Sequence, residues 1–207
     1  MQRTRIKICG ITRQEDLACA VACGADAIGL VFYPPSPRYL DPARAAELVG
    51  RLPPFVTTVG LFVNAPADSV RAVLAKLPLQ LLQFHGDEEE AYCSSFGLPY
   101  IKAARVKPGL DLLEYATSFA SARALLLDAH VDSYGGSGKT FDWSLIPADL
   151  PLPLVLSGGL HPGNVAAAMA AVAPWAVDVS SGVEAAPGVK DAEKIARFIA
   201  EVRLADA

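Results

Sequence analysis

Several things are missing from this chain of 207 residues, and each absence excludes something. No stretch reaches the roughly 18 consecutive apolar residues that a membrane-spanning helix needs, so no such span is expected. No cluster of Lys and Arg is long enough to follow a phosphate backbone. The 18 basic and 22 acidic residues are interspersed, for a net charge of −4, which argues against a nucleic-acid partner. Cysteine is scarce: Cys9, Cys19, Cys23 and Cys93 cannot build a dense disulfide framework. A reduced, cytoplasmic protein is expected. The opening MQRTRIKICGITRQED is basic but lacks the apolar core of a secretory signal. No Gly/Ser-rich linker or shift of composition divides the chain, so residues 1–207 read as one domain.

What is present is a compact composition, 52% apolar and 19% charged. Short apolar runs alternate with longer segments of helical spacing, eight times over. The strand candidates are 5–9, 27–32, 57–63, 79–84, 100–104, 124–128, 154–157 and 176–180. Several lack a polar face, as strands of a parallel sheet covered by helices do. The helix candidates are 14–23, a segment beginning at Asp41-Pro42, 65–77, 88–96, 110–122, 164–172 and 189–204. The connection after the sixth strand is the least helical. Strict alternation requires a parallel sheet with right-handed crossovers. Eight units favour closure, so the expected class is α/β, a single (β/α)8 TIM barrel. An open doubly wound sheet is the structural alternative.

A barrel of this kind carries its site on the loops at the C-terminal ends of the strands. The seventh and eighth strands lead into LSGGLHPGNV and VDVSSGVE. Glycine lets backbone N–H groups approach an anion, and a helix N-terminus adds its positive dipole end. Gly158, Gly159, Ser180, Ser181 and Gly182 are therefore phosphate-ligand candidates; tight turns with helix caps are the plainer reading. The segment YGGSGKTFDW resembles the end of a P-loop, but the glycine that motif requires five residues earlier is replaced by Ser133. Its Gly135–Lys139 stretch reads instead as a lid or substrate-facing loop.

Three further strand ends carry reactive groups. Cys9 can act as a base or nucleophile if its thiol is depressed in pKa; otherwise it is a small buried hydrophobe. Asp128, at the tip of the apolar LLLD strand, suits a general acid, with loop capping as the alternative. Arg38, in a loop stiffened by Pro34, Pro35 and Pro37, offers a planar guanidinium for bidentate carboxylate recognition. An ordinary surface arginine would look the same. His85 either orients substrate or caps the next helix. His130 and His161 read as loop residues, and Cys19 and Cys23 as packing residues. Cys9, Cys19 and Cys23 lack a recognised metal-ligand spacing. Lys7 lies in register with Cys9, and Asp178 with Ser180. The two charges are expected to meet inside the barrel, where neither could stand alone.

The segments KICGITR, GLVFYPPSPRYL, VGLFVN, LQFHGDE, LLLD, YGGSGKTFDW, LSGGL, VDVSSGVE and PGVKD, in this order, closely resemble phosphoribosylanthranilate isomerases. The resemblance runs from Lys7 to Asp191. It implies an Amadori rearrangement of N-(5′-phosphoribosyl)anthranilate in tryptophan biosynthesis, with no metal or organic cofactor. It also implies Asp128 as general acid on the furanose ring oxygen and Cys9 as general base at C2′. Arg38 would hold the anthranilate carboxylate, and the Gly/Ser loops would hold the phosphate. His85 and Asp178 join the substrate-binding set. The partner is a phosphorylated small molecule, and the barrel is expected as a monomer or homodimer. A histidine-pathway phosphoribosyl isomerase would place an aspartate where Cys9 stands and would show a repeated half-barrel. A sugar-phosphate-binding protein without turnover would need only the phosphate loops.

Overall fold

The computed structural model describes residues 3–107, 109–129 and 141–207. The Gly135–Lys139 stretch and His130 lie outside the described residues. Eight parallel strands form a closed barrel: β1 (Arg5–Cys9), β2 (Ala27–Val31), β3 (Thr57–Phe62), β4 (Leu81–Phe84), β5 (Tyr100–Val106), β6 (Ala124–Ala129), β7 (Leu154–Leu156) and β8 (Ala176–Val179). The barrel closes where β8 pairs with β1, with Lys7 opposite Asp178. The open doubly wound alternative is thereby excluded.

Helices α1 (Gln14–Cys23), α2 (Pro42–Val49), α3 (Ala67–Leu74), α4 (Glu90–Ser94) and α5 (Leu112–Ser118) follow the first five strands in turn. Helix α6 (Val165–Val172) follows β7, and α7 (Ala192–Ala205) closes the chain. Two of the local signals act as the sequence indicates. Gly24 ends α1 in the left-handed region at φ 97°. Asp41 caps α2, its side chain accepting from the Ala43 N–H, with Pro42 in the first turn. Between Phe141 and β7 the described residues hold only a 3-10 turn, Trp143–Leu145.

The last helix departs from expectation. Val189 and Lys190 do not begin it; they form β10, paired antiparallel with β9 (Glu184–Ala186). The helix starts after Asp191, whose carboxylate accepts from the N–H groups of Glu193 and Lys194. The Lys190 side chain turns inward there, to Glu184 and Ser180.

Alternation along the strands builds two cores. Outward residues such as Ile6, Ile28, Leu82, Phe84 and Val177 pack under the helices. Inward residues fill the barrel in layers. Ile101, Ala103, Ala124, Leu126, Val155 and Ala176 form one such layer. Cys9, Val31, Leu61 and Val63 pack together nearer the C-terminal ends. Polar side chains take over above them.

Candidate active site

One open cavity of about 730 Å³ sits at the C-terminal end of the barrel. Nine of the ten site residues expected from the sequence line it: Cys9, Arg38, His85, Asp128, Gly158, Gly159, Asp178, Ser180 and Ser181. The thiol and the Asp128 carboxyl thus face common space. Gly182 does not line this cavity. A Cβ there would run into the Leu160 carbonyl oxygen, so its lack of a side chain lets the loop after β8 lie against the loop after β7.

Cys9 ends β1 and is buried, at 4% exposure. Gly29 on β2 leaves room for it: a Cβ at Gly29 would stand 2.7 Å from Cys9 Sγ and 3.1 Å from Lys7 Cε. Burial pushes the Cys9 thiol above its ordinary value, and the nearby Lys7 ammonium only partly offsets this. The thiol is thus raised rather than depressed. Burial is the largest cause, and the opposing ammonium of Lys7 is shared between Cys9 and Asp178. Lys7 Nζ donates to Asp178 Oδ1 at 2.8 Å, both side chains being buried. Burial alone would lower Lys7, but Asp178 beside it holds the ammonium above its usual value. The interior pair expected from strand register is present.

Asp128 leaves β6 with Oδ1 accepting from the Ala129 N–H at 2.8 Å. Its Oδ2 lies 3.1 Å from His85 Nε2. His85, just beyond β4, reaches Gln83 Nε2 through Nδ1 at 3.0 Å. His85 therefore points into the cavity and touches the carboxyl rather than capping α4.

Arg38 is not a loose surface cation. Its Nε and Nη2 donate to the two oxygens of Glu184, each at 2.7 Å. Lys190 Nζ donates to the same carboxylate at 2.9 Å and to the Ser180 carbonyl at 3.0 Å. Burial would raise the Glu184 carboxyl, but Arg38 and Lys190 together hold it below its usual range. The Nε–Nη2 edge, one of those suited to bidentate recognition, is thus occupied from within, and Nη1 makes no hydrogen bond among the described residues. Glu184 and Lys190 were not among the expected site residues. An acid just after SSG and a lysine in PGVKD carry no local mark of pairing with an arginine 146 residues away.

Gly158 and Gly159 both take positive φ, 80° and 65°, conformations that suit glycine. Among the described residues, the N–H groups of Gly159, Ser181 and Gly182 have no hydrogen-bond partner. Donors gathered on two neighbouring loops, with Lys190 behind one of them, form a cradle for an anion. A cup with a thiol on one wall, a hydrogen-bonded carboxyl on another and an anion cradle at its rim can exchange protons with a bound phosphorylated molecule.

Residues 6–201 match the family model described as N-(5′phosphoribosyl)anthranilate (PRA) isomerase. The curated N-(5′-phosphoribosyl)anthranilate isomerase of Dechloromonas aromatica is 64% identical over 204 residues, covering 99% of this chain and 98% of that protein. Among solved structures, the chain resembles a phosphoribosyl anthranilate isomerase in complex with reduced 1-(o-carboxyphenylamino)-1-deoxyribulose 5-phosphate. That match has a TM-score of 0.87 and 42% identity and covers 97% of this chain and 98% of the other. It also resembles the mutually generated monomers of the dimeric isomerase from Thermotoga maritima. There the TM-score is 0.86 and the identity 41%, again over 97% and 98%.

Proposed function

The chain belongs to the N-(5′-phosphoribosyl)anthranilate isomerase family, and from that premise we propose how its cup divides the work of the reaction. The enzyme converts N-(5′-phosphoribosyl)anthranilate to 1-(2-carboxyphenylamino)-1-deoxyribulose 5-phosphate, a step of tryptophan biosynthesis. This Amadori rearrangement needs a proton delivered to the furanose ring oxygen and a proton removed from C2′. It involves no net redox change.

In our reading Asp128 is the general acid. It protonates the ring oxygen as the anthranilate nitrogen opens the ring to a Schiff base. Cys9 is the general base. As thiolate it takes the C2′ proton, and the enolamine that forms tautomerises to the ketone. Because burial favours the neutral thiol, the thiolate is a minority form. Lys7, shared with Asp178, is the cation that keeps it accessible.

The phosphate rests on the N–H groups of Gly159 and Ser181, with Gly158, Ser180 and Gly182 shaping the two loops. Arg38, locked by Glu184, presents its Nη1 side to the anthranilate carboxylate. His85 holds Asp128, and Asp178 holds Lys7 on the floor of the site. The chain acts as one barrel over 1–207, cytoplasmic, as a monomer or homodimer. Among the described residues no helix is long and apolar enough to cross a membrane.

The observation that carries this reading is the shared cavity of Cys9, Asp128 and the anion cradle. A positioned acid or base contributes roughly 10²–10⁴-fold. Cys9→Ala and Asp128→Asn should each lose about that much turnover, followed by fluorescence of the anthranilate adduct. Competitive inhibition of residual or wild-type turnover by inorganic phosphate should persist with an unchanged constant. Full activity in either variant removes that residue from the mechanism.

A further inference from the structure

Gln83 stands on β4 two residues before His85, so both side chains enter the barrel interior. It is fully buried, at 0% exposure, and it lines the cavity. Its Nε2 lies 3.0 Å from His85 Nδ1, while its Oε1 is buried with no partner among the described residues.

With the amide in this orientation, these contacts say where protons can be. An amide nitrogen only donates, so His85 Nδ1 must accept. The one proton of a neutral imidazole then sits on Nε2 and points at Asp128 Oδ2, 3.1 Å away. Asp128 Oδ1 already accepts from the Ala129 N–H. Both carboxyl oxygens are acceptors, so in this arrangement Asp128 has no proton to give.

A half-turn of the Gln83 amide about its last torsion reverses every role. Oε1 then accepts from an Nδ1–H, and Nε2 becomes a lone pair that accepts from a protonated Asp128. As placed, Oε1 has no partner among the described residues, and the turn would pair it with Nδ1. A buried polar atom left unpaired is costly, and the bare Oε1 means that the present orientation carries such a cost. The amide is thus not tied to one orientation by its own hydrogen bonds.

We propose that Gln83 is a positioning residue that selects the His85 tautomer and so decides whether Asp128 holds the proton it donates. The inference rests on the reading of Asp128 as general acid. The proton count closes. In the resting state the His85–Asp128 pair holds one proton, on Nε2. The turned state holds two, on Nδ1 and on the carboxyl, the second taken up from solvent. Asp128 passes its proton to the ring oxygen as the C1′–O bond breaks, and Cys9 returns the C2′ proton to solvent as its thiolate re-forms. The pair is left with one proton, on Nδ1, which exchanges through solvent to Nε2 as the amide turns again.

The test is ¹⁵N NMR of the His85 ring, assigned with His85→Asn in a chain that has three histidines. The free wild-type enzyme at neutral pH should show a bare Nδ1 and a protonated Nε2. Gln83→Glu, whose carboxylate only accepts, should move the ring proton to Nδ1. Gln83→Met, close in shape but without either group, should lose the single-tautomer signature. It should lower kcat about tenfold or more while KM changes by less than about threefold. A merely structural role would not move the ring proton in this way. A wild-type ring already protonated on Nδ1 would overturn the proposal. So would an unchanged ring in Gln83→Glu, or wild-type kcat in Gln83→Met. Full activity of Asp128→Asn would instead remove the acid assignment itself, so the two failures are told apart.

Discussion

Ala103, Leu126, Val155 and Ala176 belong to an apolar layer inside the barrel. Two residues further along the same four strands stand Arg105, Asp128, Ser157 and Asp178. The lower layer needs only volume and shape, because its atoms gain by leaving water and touching each other. The upper layer must satisfy charge, and it does so in pairs: Lys7 with Asp178, Arg105 with Asp87, His85 with Asp128, Arg38 with Glu184. One step of strand register therefore separates a structural floor from a reactive cup. Substitutions on the two levels should fail in different currencies, stability below and chemistry above.

The largest stability effect is expected at the floor. Leu126 is fully buried, and Leu126→Ala should cost about 4 kcal/mol in urea denaturation. The kcat of the molecules that remain folded should stay within about twofold of wild type. Loss of turnover without loss of stability would show that the two levels are not separable.

Next comes Glu184→Gln, which leaves Arg38 and Lys190 without their shared anion. Removing one partner of a fully buried pair costs about 3–5 kcal/mol, and partial exposure of this site discounts that to about 2–3. Because the Glu184 carboxyl is held below its ordinary 4.5, its contribution is complete above that value. It is lost as pH falls through the lower folded value. The stability gap between wild type and Glu184→Gln should therefore narrow as pH falls below 4.5 and close in stronger acid. A gap that persists there would mean that the ion pairs are not its source.

Gly29→Ala probes the same division at Cys9. The added methyl meets Cys9 Sγ and Lys7 Cε, so stability should fall by only about 1 kcal/mol. Displacing the thiol should nevertheless lower kcat about tenfold or more. Wild-type kcat in a folded Gly29→Ala protein would argue that the position of the thiol is not critical.

The smallest effect is a shift of titration. The thiolate absorbance of wild type minus that of Cys9→Ala should rise above pH 9.0, the ordinary value, since burial outweighs the pull of Lys7. A step below 9.0 would mean that Lys7 serves Cys9 more than Asp178.

Much of this was legible in the chain. Strand β1 and helix α1 fall where apolar runs and helical spacing put them, because Arg5–Cys9 and Gln14–Cys23 have little else they could be. Other boundaries moved by a few residues, as for α3 at Ala67–Leu74 rather than 65–77, since fraying and capping depend on contacts beyond the local pattern. Residues at strand ends were readable because the barrel brings those ends together. Glu184, Lys190 and Gln83 were not. Their importance comes from partners on other strands or loops, or from a ring two residues on whose own partner lies across the barrel. The raised thiol of Cys9 was equally hidden, since spacing along β1 does not say how Lys7 divides itself between Cys9 and Asp178.

The division of labour turns on which wall removes the carbon-bound proton. Turnover should be measured with substrate carrying deuterium at C2′, in Cys9→Ser and in Asp128→Asn. The deuterium effect should grow beyond that of wild type in Cys9→Ser, where a weaker base makes proton removal limiting. It should not grow in Asp128→Asn, where ring opening limits instead. Growth in Asp128→Asn with none in Cys9→Ser would contradict the assignment of base to the first strand and acid to the sixth.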